Sequence, residues 1–213
     1  PDRGDILVEL IDLQGRINLN NLMQDDHAEL PRRFLTEVMQ QPALVPQLAD
    51  WQDGDTLTRL GGGEDDIYLN QKTPFRTANR PLGHISELAI FSQSTETDGA
   101  ALSRWLTTLD KATALNINSM APQLASLIDP GLSPAQLETL QAGTGFNSLE
   151  ELLQSDLAAG LALNTTPLTV TSSYFQADVQ ARFQDWLQPL RSRFILDSVT
   201  GEIHLLDRQL IAP

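Results

Sequence analysis

The chain has 213 residues, and its 28 acidic against 14 basic residues give a formal charge of −14. Its length fits one large domain or two small ones, and a hydrophobic content of 41% can supply a packed core. The acidic excess argues against a general duplex-DNA binder, which neutralises phosphates with Lys and Arg. The absence of cysteine excludes disulfides, thiolate metal sites and a cysteine nucleophile.

No apolar run in the chain approaches the roughly 20 residues that span a bilayer. The chain starts with Pro1-Asp-Arg-Gly4, which contains neither an initiator Met nor a signal peptide. We therefore expect that something N-terminal to Pro1 has been removed.

The first 20 residues predict two β-strands. The apolar set Ile6, Val8 and Leu10 alternates with the set of residues 7, 9 and 11, and Ile17 and Leu19 alternate with polar neighbours. The intervening Asp12-Leu-Gln-Gly15 is typical of a tight turn, with Asp first and Gly last. Together these segments predict a β-hairpin over residues 6–19.

Between residues 22 and 109 the apolar spacing is mostly helical. Pro31 is a good early-helix residue, whereas the Gly, Asp and Pro content of residues 52–83 predicts loop. The predicted helices are one carrying Phe34, Leu35 and Val38, one near residues 45–51, one over residues 84–92, and a continuation through Leu102, Trp105, Leu106 and Leu109.

Residues 115–153 hold the most informative pattern, which predicts three short helices joined by two tight turns. This arrangement resembles the helix-hairpin-helix and SAM-like folds, which often bind DNA. The predicted N-terminal caps are Ser119 for the helix with Leu124, Leu127 and Ile128, Ser133 followed by Pro134, and Ser148 in a capping box with Glu151.

After Asn164 the pattern returns to that of strands. Residues 168–175 and 179–183 alternate with period two, and residues 194–196 and 203–205 flank a predicted hairpin turn. The order of elements predicts an α+β fold with one antiparallel sheet built from both chain ends and an all-α domain inserted. The predicted domains are a β-domain of residues 1–21 and 166–213 and an inserted α-domain of residues 22–165.

The turn Pro130-Gly-Leu-Ser133 is the part of this pattern that could bind DNA. In DNA-binding hairpins such a turn presents backbone N–H groups to a phosphate at a helix N-terminus. Here Ser133 replaces the second glycine, and no Lys or Arg lies between Lys111 and Arg182. A structural packing unit is therefore the favoured interpretation.

An acidic loop follows the second predicted helix. Read as an EF-hand, Asp53, Asp55 and Glu64 would fill positions one, three and twelve, but Leu57 and Thr58 stand where an oxygen ligand and a glycine are needed. Two interpretations of this loop stay open, a looser cation site and a solvated loop with Asx-turns. The metal ligands are therefore unknown. The loop's five carboxylates are Asp53, Asp55, Glu64, Asp65 and Asp66.

Nothing else in the sequence predicts chemistry. His27, His84 and His204 are far apart and lack metal-ligand spacing, and no nucleophile elbow, phosphate loop, dinucleotide fingerprint or zincin motif is present. We therefore predict no catalytic residue, no cofactor-binding residue and no enzymatic activity. The residues expected in the core include Trp51, Trp105 and Trp186.

Several segments together resemble one family, because they occur in it in the same order. They are Glu9–Leu22, Trp51–Asp55, the turn at residues 63–66 with Tyr68, Phe75–Asn79 leading to Glu87-Leu88, Leu115–Ser119, Pro130–Ser133, Gly145-Phe146 and Ser172–Phe175. They are similar to the periplasmic domain of the type II secretion system protein K family.

The resemblance implies a minor pseudopilin with a pilin-like fold, in which a long N-terminal helix precedes an antiparallel sheet and a large α-domain is inserted. It implies a single-pass anchor in the inner membrane, truncated here, with this domain in the periplasm. Its expected partners are minor pseudopilins I and J, with which it caps the tip of the pseudopilus in protein export. No nucleic acid is expected.

Calcium has been associated with this family, but the family's ligands cannot be matched to this sequence, so calcium stays open as a cofactor. The alternative function is a nucleic-acid-binding module that uses the helical hairpin of residues 115–153. A metal-dependent hydrolase that uses the acidic loop is a third hypothesis, and no motif supports it.

Overall fold

A computed structural model describes residues 4–91, 99–110, 112–156 and 158–211. Its strands are β1 (Asp5–Asp12), β2 (Ile17–Asn18), β3 (Leu106–Thr107), β4 (Leu115–Asn116), β5 (Leu168–Thr169), β6 (Tyr174–Phe183), β7 (Trp186–Leu196) and β8 (Ile203–Leu210). Its α-helices are α1 (Glu29–Arg33), α2 (Leu44–Gln52), α3 (Asp65–Tyr68), α4 (Gly99–Leu102), α5 (Ala125–Ile128), α6 (Pro134–Gln141) and α7 (Leu149–Gln154). A π-helical turn over Phe34–Val38 continues α1, and 3-10 helices cover Leu19–Met23, Ile85–Ile90 and Pro122–Leu124.

A four-stranded antiparallel sheet in the order β1-β6-β7-β8 joins the two ends of the chain. β1 pairs with β6 over its whole length, from Asp5 opposite Arg182 to Asp12 opposite Phe175. β6, β7 and β8 follow one another as hairpins, and the last turn includes Gly201 in the left-handed region at φ 74°. The prediction of one sheet from both chain ends is confirmed, as is its C-terminal hairpin.

The predicted hairpin of residues 6–19 is wrong. β1 pairs with β6, whereas β2 pairs in parallel with β3. The Asp12–Gly15 turn leads the chain out of the large sheet instead of back along it. Alternation identifies a strand and its faces, but it does not identify the strand's partner.

The main hydrophobic core lies in the helical region between β1 and β6. Phe34, Leu35, Leu48 and Leu88 are at most 1% exposed within it. The predicted helices at 34–38 and 45–51 are confirmed, and residues 52–83 are mostly loop. The predicted helix of residues 84–92 is present as a 3-10 helix over Ile85–Ile90, and residue 92 lies outside the described residues. Within the described residues, no helix has the length and apolar composition to cross a membrane.

The predicted helical continuation through Leu109 is wrong. α4 ends at Leu102, and residues 106–107 form β3, in which Leu106 lies opposite Ile17. Both side chains are at most 2% exposed. Burial of this two-residue parallel pair overrides the helical spacing that the sequence shows.

Residues 115–120 are not a helix. Leu115 and Asn116 form β4, which pairs in parallel with β5, and the next helical turn starts after Ala121 with Pro122 at its first position. The Ser119 hydroxyl does not cap that turn but donates to the carboxylate of Asp12.

The other two predicted caps are present. Ser133 accepts a hydrogen bond from the amide of Gln136, whose side chain accepts from the Ser133 amide, and Pro134 begins α6. Ser148 accepts from the amide of Glu151. The Glu151 carboxylate, however, accepts from the amide of Asn147 (2.8 Å) instead of the amide of Ser148. The second capping box is therefore displaced on one side.

Asp12, the last residue of β1, joins the sheet to the helical region. Its Oδ2 accepts from Asn116 Nδ2 (3.1 Å), from Ser172 Oγ (2.7 Å) and from the Ser119 hydroxyl. Its Oδ1 accepts from the amide of Gln14 (2.8 Å). One carboxylate thus holds the end of β1, the segment after β4 and the segment that enters β6.

A row of buried asparagines extends this junction. Asn20 donates to the carbonyls of Leu82 (3.0 Å) and Leu109 (2.9 Å) and accepts from the Leu82 amide. Asn21 bonds both backbone groups of Thr113. Because buried backbone groups need partners, these amides fix loops that form no regular ladder.

Asp12→Ala should destabilise the protein by about 2–4 kcal/mol, because it leaves several charge-assisted donors without an acceptor. Urea unfolding followed by circular dichroism measures the change. The matched control is Asp66→Ala, since Asp66 is exposed on α3. Equal midpoints for the two variants would show that the Asp12 junction contributes little.

Candidate cation site and apolar sheet face

Asp50, near the C-terminal end of α2, organises the acidic loop. It is fully buried, its Oδ2 accepts from the amides of Arg59 (3.0 Å) and Gly63 (2.9 Å), and its Oδ1 accepts from Arg59 Nη1 (2.7 Å). A Cβ on Gly62 would lie 2.0 Å from Asp50 Oδ2, so only glycine fits there. The loop is therefore held against the end of α2.

This folding brings Asp53, Asp55 and Glu64 together. One oxygen of each carboxylate lies within 4.8 Å of the others. Asp53 Oδ1 and Glu64 Oε1 are buried without a hydrogen-bond partner, whereas Asp53 Oδ2 binds the Arg59 guanidinium. We call these three residues the acidic cluster.

The acidic cluster has the donor chemistry of a hard-cation site. Calcium takes carboxylate oxygens from flexible loops, and buried carboxylates are otherwise paired. Glu64 is only 4% exposed, so its unpaired oxygen is costly without a positive partner. The orphaned oxygens of Asp53 and Glu64 therefore fit a bound Ca²⁺ ion better than they fit a solvated loop.

The electrostatics of the loop agree with this fit. Burial raises the pKa of Glu64 above its ordinary value against the lowering effect of the Thr77 side chain, and the negative charges of Asp53 and Asp50 raise it further. Burial first, then the charges of Asp50 and Glu64, raise the pKa of Tyr68 to about 12. A cation at the acidic cluster would offset this concentration of negative charge.

The remaining loop carboxylates lie apart from the acidic cluster. Asp65 Oδ2 accepts from Arg76 Nη1 (2.6 Å) and its Oδ1 from the Thr77 amide (2.9 Å), while Asp66 is exposed. The converging three are those assigned above to EF-hand positions one, three and twelve. Sequence reasoning missed Asp50, which has no motif and is recognised only by its burial.

The aromatic residues near this loop form its support. Trp51 packs edge-on against Tyr68 and Phe91, with ring centroids 5.6 and 5.2 Å apart, and Tyr68 stacks on Phe75. Trp51 is buried, as expected for a core residue. The expectation for Trp186 is wrong, because it is 72% exposed on the sheet.

The three histidines do not converge. His84 caps the 3-10 helix at residues 85–90 in a capping box with Glu87, which explains its place in the sequence without a metal. His204 lies on exposed β8, near Glu202. His27 precedes α1, and its Nδ1 is buried without a partner.

One face of the large sheet is apolar and uncovered. Register places Val8, Val179, Leu190 and Leu210 in one row across all four strands. Directly opposed residues share a face. Gln188, Ser192 and Arg208 also lie on this face. Its large apolar residues, which we call the apolar face, are Ile6, Val8, Leu10, Phe175, Val179, Phe183, Trp186, Leu190, Phe194, Leu196, Ile203, Leu205 and Leu210.

Much of the apolar face is open to solvent. Ile6, Leu10, Trp186 and Leu210 are between 63% and 73% exposed, so no described residue covers them. Apolar patches of this kind mark interaction surfaces on soluble proteins. The opposite face of the sheet carries the Asp178–Arg191 and Arg193–Asp207 ion pairs and lies against the helical region.

The carboxylate of Asp129 binds the backbone of the turn that resembles a DNA-binding hairpin. Asp129 Oδ1 accepts from the amide of Gly131 (2.7 Å), and its Oδ2 accepts from the amide of Ala162 (3.2 Å). The backbone group that would bind a phosphate is thus bound by a carboxylate of the chain itself. This geometry disfavours the nucleic-acid alternative at residues 115–153.

Comparisons with known proteins give one consistent result. The model for the first domain of type II secretion system protein K matches residues 15–111. Type II secretion system protein K from Klebsiella pneumoniae and from Pseudomonas aeruginosa are each 28% identical over 98% of this chain. The chain spans 66% of the length of each of these relatives.

A chain in the crystal structure of the GspK-GspI-GspJ complex from the enterotoxigenic Escherichia coli type 2 secretion system is similar in fold. The TM-score is 0.80 at 22% sequence identity, covering 100% of this chain and 82% of that one. The α+β fold class is confirmed, with a pilin-like antiparallel sheet and a large helical insertion.

With a chelator present, the contribution of Glu64 to stability should fall as pH rises above the ordinary Glu pKa of 4.5. A raised pKa means that the folded protein holds the Glu64 proton more tightly than the unfolded chain does. The stabilisation is therefore complete below 4.5 and is lost as pH rises through the raised value. Thermal unfolding across this range, with and without Glu64→Gln, measures the effect.

At neutral pH and with a chelator present, Glu64→Gln should raise Tm by a few degrees, because it removes a buried negative charge without a partner among the described residues. A stabilisation of about 1 kcal/mol corresponds to roughly 2–4 °C in a domain of this size. Asp66→Asn removes one charge from an exposed position and is the control. A Glu64→Gln variant with an unchanged pH profile would contradict the assignment.

Proposed function

We propose that the chain is a member of the type II secretion system protein K family and a minor pseudopilin that assembles with the I and J pseudopilins at the tip of the secretion pseudopilus. The observation that carries this proposal is the fold likeness to a chain from a GspK-GspI-GspJ complex, together with the uncovered apolar face. The role is structural, and it serves protein export.

The apolar face supports an assembly role. Three apolar side chains of β1 and three of β8 lie on it, and a surface of this kind is stabilised by a covering apolar element. In a pilin-like fold a long N-terminal helix packs on the sheet. We infer that an apolar helix preceding Pro1 covers this face and anchors the protein in the inner membrane, with the described region in the periplasm.

The position of the helical region supports the tip location. It occupies the polar face of the sheet, opposite the apolar face. A subunit with this added bulk leaves less room for another subunit to stack beyond it. We propose that the helical region thereby limits growth of the pseudopilus.

The division into a β-domain of residues 1–21 and 166–213 and an inserted α-domain of residues 22–165 remains part of the proposal. Its support is that β1 pairs with β6 in the four-stranded sheet, while all seven α-helices of the described residues lie between these two strands in the chain.

We propose in addition that the acidic cluster binds Ca²⁺ through Asp53, Asp55 and Glu64. The observation that favours this is the pair of buried carboxylate oxygens without partners. A bound cation would supply positive charge that compensates these oxygens. Asp50 and Arg59 would position the loop without contacting the ion themselves.

An equimolar mixture of this chain with the soluble domains of the I and J pseudopilins from the same system should form a ternary complex. Size-exclusion chromatography with light scattering at tens of micromolar measures it. Elution of this chain alone from both partners would contradict the proposed function.

The role of the apolar face can be tested in the full-length protein. Val8→Glu with Leu205→Glu should abolish secretion in a complementation assay, because both side chains are more than half exposed here but would be buried under a helix. The soluble domain of this variant should keep its Tm. Leu60→Glu, at a fully exposed loop position, is the matched control and should secrete normally.

Calcium should raise the Tm of the purified domain by several degrees relative to chelator, because a ligand that binds only the folded state stabilises it by mass action. Asp53→Asn should remove most of this increase, whereas Asp66→Asn should retain it. Isothermal titration calorimetry gives the affinity directly. No calcium-dependent heat or Tm change in the wild-type protein would exclude the site.

A further inference from the structure

A second charged site lies away from the acidic cluster. A cavity of about 230 Å³ separates the polar face of the sheet from the helical region. Arg16, Arg191 and Arg193 line it together with Asp178 and Gln176. Register explains this convergence, because Asp178 lies opposite Arg191 and Gln176 lies opposite Arg193 on the same face.

Two of these arginines have carboxylate partners. Arg191 binds Asp178 in a bidentate pair, with Nε–Oδ1 and Nη2–Oδ2 distances of 2.8 Å. Arg193 Nε donates to Asp207 Oδ2 (2.6 Å), and its Nη1 reaches the carbonyl of Thr108 (3.4 Å). These pairs fix the guanidinium groups at the cavity wall.

Arg16 differs from the other two. It follows the turn that leaves β1, and no carboxylate of the described residues forms an ion pair with its guanidinium. Burial lowers the pKa of Arg16, and the neighbouring positive charge of Arg191 lowers it further, against the weaker effects of Asp178 and Asp12. A desolvated cation without a paired anion is costly.

The charges of the cavity sum to a small positive excess. Three guanidinium groups are offset by the carboxylates of Asp178 and Asp207, which leaves one positive charge at Arg16. The rest of the chain is strongly acidic, with a formal charge of −14. A cationic cavity in such a protein is therefore a local feature that its overall charge does not explain.

We propose that this cavity is a binding site for one small oxyanion, a phosphate or a simple carboxylate, held chiefly by Arg16. The planar guanidinium fork matches the geometry of both anions. Thr107 and Gln176 also line the cavity, and the Gln176 side-chain amide donates to Asp178. The bound anion supplies the counter-charge that Arg16 lacks and joins the turn after β1 to the centre of the sheet.

The test uses the purified chain with sodium phosphate and, separately, sodium acetate, with the ionic strength held constant by sodium chloride. The wild-type protein should show saturable binding by calorimetry and a Tm that rises with anion concentration. Arg16→Gln should weaken binding about tenfold or more, as expected for loss of a charge-assisted hydrogen bond. The two salts distinguish phosphate from carboxylate as the preferred ligand.

Two further variants keep the result decisive. Arg32→Gln removes one exposed positive charge elsewhere and should bind like the wild type. Arg16→Lys keeps the charge but loses the fork, so it should fold and bind with intermediate affinity. Without anion, Arg16→Gln should have a Tm equal to or above that of the wild type, because a half-buried charge without an ion-pair partner among the described residues is gone.

Three results would overturn the proposal. One is a wild-type protein without saturable binding of either salt. Another is equal binding by the wild type and Arg16→Gln. The third is a loss of stability in Arg16→Gln and Arg16→Lys alike without any dependence on anion, which would make Arg16 a purely structural residue.

Discussion

The carboxylate of Asp12 is the contact on which the arrangement of this protein depends. It stands where the first strand leaves the sheet, and it accepts hydrogen bonds from residues near both β4 and the start of β6. Because β1 pairs with β6 rather than with its neighbour in sequence, the intervening chain must leave the sheet and return at one place. Asp12 and the buried asparagines that follow satisfy the polar groups of that crossing.

The sheet has two faces of opposite character as a consequence. The face toward the helical region carries arginines and carboxylates, and the other carries aliphatic and aromatic side chains that remain exposed. A filament subunit with this arrangement can present an apolar face to a helix while its bulk stays on the other side. The proposed assembly function follows from this asymmetry more than from any single residue.

The charges of the protein are organised locally as well. Asp50 and Arg59 fold an acidic loop so that two carboxylate oxygens are buried without partners, and Arg16 is half-buried without an ion-pair partner among the described residues. Each feature carries a desolvation cost that a counter-ion would relieve. Both sites lie next to the points where loops join regular elements, so an ion at either one would stabilise the junction.

The sequence by itself determined much of the local structure and the resemblance to one family. Alternation identified β1, β6 and the C-terminal hairpin, and polar caps such as Ser133 located helix starts, because these depend on neighbours a few residues away. Ordered segments from Glu9 to Phe175 carried the resemblance to the type II secretion system protein K family. Only the tertiary structure decided which strands pair and which carboxylates converge. The hairpin at residues 6–19, the helix through Leu109 and the buried Trp186 were wrong because pairing and burial depend on residues distant in the chain, which local patterns do not encode.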